Sequence, residues 1–404
     1  MDYTKIFHDK TAFSREYLQN RMEMYGFKNM SRMELFLWDL ELFLQIQKRL
    51  GEHIVLKGGA ATQFYLPIEA QRTSVDIDMI FCGTDEAIKS TLKDITKELS
   101  GNSEFFLFNE HIPKNPKTNL PMHTYHVDVP SVLTYKERNK EESAADKQEL
   151  KIEFIMETED WEYTRKTGED IFAVQSDFEY QLLPVSHLFA DKFTTIGCNT
   201  IGVQNDRMDE QVKQFYDVVM LTIYQLEELD IQEVRKKYLK RAEKEWYDRK
   251  GSEYNLQEII TDVRKQLYRY SMVDSGEDAE LKKYINDFKA LYLNNKVEFS
   301  PQSVACEASL VRLMYEAMLE ADNWDAVKKA LLIEKMLELN QYNGKEKGAK
   351  VKEIREMLIA EFACYSEISA NILKGKNLKR ILWAVVNKDN LDDIQKKVEQ
   401  IIEI

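Results

Sequence analysis

IVLKGGAATQFYLPIEAQRTSVDIDMIF, residues 54–81, opens on a β-branched run that stops at Gly58-Gly59, the pattern of a short strand closed by a tight turn. AATQFYL follows as a short helix ended by Pro67. TSVDIDMIF then alternates strictly, as a half-buried strand does, so Val75, Ile77 and Met79 share one face and Asp76 and Asp78 the other. Two carboxylates so spaced lie roughly 6 to 7 Å apart along the strand, close enough to hold a cation between them. A D-x-D alone also describes any solvent-facing strand. What adds to it here is the glycine turn one short helix earlier. Glycines let backbone N–H groups approach a phosphate, and the carboxylates can hold Mg2+ against it. The G-x-x-x-x-G-K-[ST] of a P-loop and the G-x-G-x-x-G of a dinucleotide fold are both missing, which sets those two phosphate-binding classes aside.

The flanking sequence frames this stretch as part of an α+β unit. MELFLWDLELFLQIQKRL, 33–50, repeats apolar residues at helical spacing and stops at Gly51. DEAIKSTLKDITKELSG is a helix, and EFFLFNEHI, HTYHVDVP and LKIEFIME are strands. The charged segment 136–149 is a loop or hairpin end. Six of the seven prolines precede residue 185, and helical periodicity takes over from there to the C-terminus. The spacing predicts a mixed sheet flanked by helices over 1–225 and an all-α unit over 226–404, with no repeat of fixed period and no sustained heptad.

With 404 residues, 44% apolar and 31% charged, the chain can bury a sizeable core. No run approaches the roughly 20 apolar residues that span a bilayer, and the N-terminal MDYTKIFHDK carries charge where a signal peptide needs an apolar run, so a cytoplasmic protein with no membrane partner is expected. A net charge of −14 disfavours indiscriminate coating of nucleic acid but leaves room for a local basic groove. Cys82, Cys198, Cys306 and Cys364 lack C-x-x-C spacing and read as buried free thiols. His123 and His126 read as strand residues rather than a metal pair.

Leu56-Lys57-Gly58-Gly59-Ala60-Ala61 followed by Arg72-Thr73-Ser74-Val75-Asp76-Ile77-Asp78 resembles the motif pair of the AbiEii/AbiGii toxin nucleotidyltransferases, a branch of the DNA polymerase β-like superfamily. Ala60 departs from the pattern, standing where the family usually has a hydroxyl residue. The resemblance extends over about residues 35–225. It implies a polymerase β-like core that takes an NTP and Mg2+, with the metal held by Asp76, Asp78 and a third carboxylate. Glu153 in LKIEFIM is the candidate for that third group, since its alternation with Ile152 and Phe154 turns it away from the core; Asp128 in YHVDVP is the alternative. The resemblance also implies a helical lysine, matched by Lys192, and an aspartate on the next helix, matched by Asp217. Lys192 would serve triphosphate oxygens as a point charge, and Asp217 would orient Lys192 or the nucleotide.

Lys57, Gly58, Gly59, Arg72 and Ser74 are the further nucleotide-binding candidates. Ser74 precedes the aspartates by two, so it shares their face and can donate to a phosphate. Arg72 could either pair with Asp76 or touch the nucleotide, and Lys57 could snorkel beside the turn. The biology implied is the toxin of a toxin–antitoxin or abortive-infection system, with RNA, tRNA first, as acceptor and a cognate antitoxin as partner. Transfer to a protein or an antibiotic would use the same motif, and a non-catalytic RNA- or partner-binding module would keep the same fold. RKKYLKRAEKEWYDRK, 235–250, interleaves basic and aromatic residues as an RNA-contacting helix does, although a solvated helix with its aromatics packed inward fits it better.

Overall fold

The computed structural model describes residues 2–112, 121–134, 136–137, 146–158, 161–320 and 323–402. Seven strands form one mixed sheet: β1 (Ile54–Lys57), β2 (Asp76–Cys82), β3 (Phe108–His111), β4 (Met122–Pro130), β5 (Lys147–Glu157), β6 (Thr164–Thr167) and β7 (Glu179–Leu182), in spatial order β3-β4-β5-β2-β1-β7-β6. β2 runs parallel to β5 and β1 parallel to β7, while the remaining neighbours are antiparallel. The helices around it begin with α1 (Arg15–Tyr25), α2 (Met30–Leu50), α3 (Gly58–Gln63), α4 (Asp85–Leu99), α5 (Val185–Thr194) and α6 (Met208–Gln225). α7 (Ile231–Lys250), α8 (Leu256–Ser271), α9 (Ala279–Tyr292) and α10 (Pro301–Glu320) follow, and further helices continue from Asp325 to Ile402. This is the α+β class expected from the sequence. The charged 136–149 segment lies mostly outside the described residues, and its last three residues open β5.

Local sequence sets these elements. Asn29 caps α2 by accepting from the Arg32 amide at 3.0 Å, and Gly51 ends it at φ +62°. Thr84 caps α4, with Asp85 and Glu86 in the first turn and Lys97 in the last, the arrangement that suits the helix dipole. One sheet face, bearing Ile77, Met79, Tyr125, Ile152 and Phe154, is buried in the main core. The same alternation places Lys57, Asp76, Asp78 and Glu153 on the opposite face, because Lys57 pairs with Asp78 and Asp78 with Glu153 in the strand register.

The helical second half is stitched to the motif segment. The Thr73 amide donates to the Tyr292 carbonyl at 3.1 Å, Arg72 forms a β-bridge with Leu293, and the Asn295 amide donates to Gly26 at 2.8 Å. α6 packs on α9 and α10, and α5 packs on α7.

Candidate active site

Gly58 has φ +69°, and a Cβ placed there would come within 2.2 Å of Asp78 Oδ2. The glycine therefore serves two needs at once: a left-handed backbone and direct approach of the turn to a carboxylate. At Gly59 a Cβ would meet Arg72 Nη2 at 2.6 Å and Ser74 Oγ at 3.1 Å, so the second glycine seats the segment that leads into β2. Ser74 is buried ahead of the strand, which starts at Asp76, and lines a small cleft with Gly59, Arg72, Asp76, Asp78, Glu210, Lys213, Gln214 and Tyr292.

Arg72 does not pair with Asp76. Its guanidinium holds the buried Asp217 in a fork, Nε to Oδ1 at 2.7 Å and Nη2 to Oδ2 at 2.8 Å. Lys192 Nζ reaches the same Asp217 Oδ2 at 2.8 Å and Gln214 Oε1 at 2.7 Å. Burial works against ionisation of Asp217, but Arg72 and Lys192 outweigh it and hold the carboxyl below its ordinary range. Lys192 is thus enclosed in an ion-pair group behind the cleft. Lys57 makes an ion pair with Asp191, Nζ to Oδ2 at 2.8 Å.

Among the described residues the side chains of Asp76 and Asp78 form no ion pair or hydrogen bond. Burial, and then the Glu153 charge, push the Asp78 carboxyl up to about 6. Burial raises Asp76 as well, with Asp78 adding repulsion against the pull of Lys151 and Lys213. Two half-buried, unpaired carboxylates that repel each other fit a divalent cation. Glu153 sits beside Asp78 in register and is held by Thr124 Oγ1 at 3.3 Å and Lys151 Nζ at 3.2 Å. Asp128 lies on the same face but four residues along β4, where Lys147 binds it, so it does not join the group.

Next to Asp78 on the same sheet face the surface opens into a cavity of about 380 Å³, lined by Lys57, Ile80, Glu157, Trp161, His187, Asp191, Lys237, Lys240, Arg241 and Lys244. Asp191 bridges its walls, taking Lys57 from β1 and Arg241 Nε at 3.4 Å from α7. Burial opposes ionisation of Asp191, yet Lys57 and Arg241 bring its carboxyl down to about 2. In α7 the sequence expectation of inward aromatics holds for Tyr238 and Trp246, which are buried, and fails for Tyr247, which is exposed. Lys237, Lys240, Arg241 and Lys244 of the same helix line the cavity, a role that the charge pattern alone did not single out.

A family profile described as Nucleotidyl transferase AbiEii toxin, Type IV TA system, matches residues 42–321. The chain belongs to this family. It is a nucleotidyltransferase of the AbiEii toxin type, and the match runs on past residue 225 through α7 and into α10. The AbiEii profile therefore takes in the basic helix as well as the glycine turn and the carboxylate strand. Comparison with curated proteins finds no match. Among solved structures, JHP933 from Helicobacter pylori is similar at 13% identity and TM-score 0.39, over 72% of this chain and 96% of that one. MenT4, a nucleotidyltransferase toxin from Mycobacterium tuberculosis, is similar at 12% identity and TM-score 0.39, over 74% of this chain and 99% of that one. Likeness at that level says nothing about what this AbiEii-family chain acts on.

Sequence reasoning missed four groups at the site. Lys151 lies between Asp76 and Glu153, and the alternation of LKIEF could have placed it. Lys213 lines the cleft, and Arg241 reaches the cavity from a distant helix that no local spacing ties to β1. Asp39 in α2 is enclosed with both carboxyl oxygens unpartnered among the described residues, and burial together with Asp76 and Asp78 pushes it well above the usual range. An aspartate within the apolar run LFLWDLELF was its only signal. None of the four cysteines forms a disulfide, but only Cys198 and Cys306 are buried; Cys364 is exposed and Cys82 intermediate.

Proposed function

We propose that this protein transfers a nucleoside monophosphate from an NTP to a hydroxyl of RNA, with pyrophosphate leaving and tRNA as the first acceptor class, in a reaction that depends on Mg2+ and is restrained by a cognate antitoxin in the cytoplasm. One observation carries the reading: Asp76, Asp78 and Glu153 share one sheet face between the Gly58-Gly59 turn and a basic cavity. Mg2+ held by Asp76 and Asp78, with Glu153 beside them, would supply charge to align and neutralise the phosphates.

The chain's own residues carry the remaining steps. A volume of about 380 Å³ falls within the range of small-molecule sites. Lys237, Lys240, Arg241 and Lys244 would face the phosphates there, and Trp161 would offer its ring to the base. Lys57, Gly58, Gly59, Arg72 and Ser74 form the nucleotide side, Lys192 adds positive charge behind it, and Asp217 fixes Lys192. Glu153 would take the proton of the attacking hydroxyl. Lys236, Lys240 and Tyr247 on the exposed side of α7 suit a single-stranded end, cations for its backbone and a ring for a base. In this reading residues 1–225 hold the carboxylates and the glycine turn of the transfer site, while 226–404 add the α7 cations to its phosphate side and present the acceptor.

The test is incubation of the protein with each α-labelled NTP, Mg2+ and total tRNA, beside the Asp76→Ala, Asp78→Ala variant. Labelled tRNA with the native chain and none with the variant is the expected result. Equal labelling by both proteins overturns the assignment of the carboxylates, and label appearing on protein or small molecules instead overturns the acceptor.

A further inference from the structure

A second group of ligand-type side chains lies on the other face of the sheet. Glu110 on β3 and Tyr125 on β4 pair directly, and His123 precedes Tyr125 by two, so all three emerge on the side covered by α4. Asp85, the first residue of α4, completes the group. His123 Nδ1 is 3.2 Å from Glu110 Oε1 and 3.4 Å from Asp85 Oδ1, and one ligand atom from each of the three residues lies within 4.8 Å of the others. His126, three residues along the strand, faces the opposite way and pairs with Glu149.

An independent feature points to a ligand here. Tyr125 is 3% exposed, and its hydroxyl, like Asp85 Oδ1, is enclosed without a hydrogen-bond partner among the described residues. A buried hydroxyl left unpaired is costly, so it marks a missing partner. Tyr125 lies directly opposite Glu110 in the strand register and on the same face as His123, which sets it beside this same group.

We propose that Asp85, Glu110 and His123 bind one divalent transition-metal cation of the zinc type, with the Tyr125 hydroxyl turned toward a water on the ion. One imidazole with two carboxylates suits zinc, whereas Mg2+ favours oxygen ligands throughout. Lys89 now supplies the positive charge, its Nζ 2.6 Å from Asp85 Oδ2 and 3.6 Å from Glu110 Oε2. Its side chain is 52% exposed and can swing into water when the ion enters. The bound ion ties the start of α4 to the β3–β4 hairpin, apart from the carboxylates of the transfer reaction.

The test uses the full chain carrying Asp76→Asn and Asp78→Asn, so that the other acidic pair does not compete. Co2+ is titrated by its visible absorption and then displaced with Zn2+. One equivalent is expected to bind, about tenfold or more weakly after His123→Ala, and more tightly after Lys89→Met, which removes the competing cation. Absence of Co2+ and Zn2+ binding, or binding indifferent to both substitutions, overturns the site. Lys89→Met alters an exposed side chain and seeks a gain, so it decides the matter even if His123→Ala fails to fold.

Discussion

Gly58 concentrates the logic of the site in one position. Its left-handed backbone would cost an alanine about 1–2 kcal/mol, and the added methyl would also displace the Asp78 carboxylate that lies 2.2 Å from the Cβ position. Gly58→Ala is therefore expected to lower stability by at least that amount and to reduce transfer far more than the stability loss accounts for. Denaturant midpoints beside initial rates check this, and a variant with native rates would show that the carboxylate has room to move. The two aspartates were legible from the sequence because strand alternation has a period of two. The partner of Arg72 was not, and Asp217 as the partner of Lys192 came only with the family resemblance. Asp217 joins them from a helix some 145 residues beyond Arg72 in the chain, and no local period reports a contact of that span.

Among the elements, α7 shows how one helix meets two demands. Its apolar stripe, Val234, Tyr238, Ala242 and Trp246, is buried, while its basic residues divide between the cavity and open solvent. The sequence displayed both patterns superimposed, but which side met the cavity depended on where α5 and β1 stood. Lys236 is exposed and does not line the cavity, so it separates RNA contact from NTP contact. Lys236→Ala is expected to weaken RNA binding and to lower the slope of log affinity against log salt by about 0.7, as loss of one phosphate contact does on a single strand. The KM for NTP should stay as it is. Salt titrations of RNA binding and NTP saturation curves read the two effects separately, and an unchanged salt slope would remove α7 from the acceptor path.

At the scale of the whole molecule, burial also penalises the charge of an acid in the helical second half. Glu307, within α10, is pushed up to about 8 by burial, and Oε2 has no hydrogen-bond partner among the described residues. The folded pKa lies above the ordinary 4.5, so between those values the native state binds more protons than the unfolded chain. The contribution of Glu307 to stability is thus complete below about pH 4.5 and is lost as pH rises to about 8, each unit being worth about 1.4 kcal/mol. Glu307→Gln should raise the melting temperature at pH 8 relative to the native chain and narrow the difference at pH 5; equal shifts at both pH values would mean that the acid is already solvated. The α+β class and the helical second half were visible beforehand in the proline distribution and the change of period. The way the halves interlock was not, since it runs through backbone groups that carry no side-chain signature.

The seam at Thr73–Tyr292 and Arg72–Leu293 has a consequence for how this protein comes alive on the ribosome. The segment that delivers Asp76 and Asp78 is translated early, yet its backbone partners emerge more than 200 residues later. A nascent chain that has released only the sheet carries both aspartates without the strut that seats the turn before them. Competence is thus expected only once residues 292 and 293 have emerged, and a chain cut short before them lacks this backbone support.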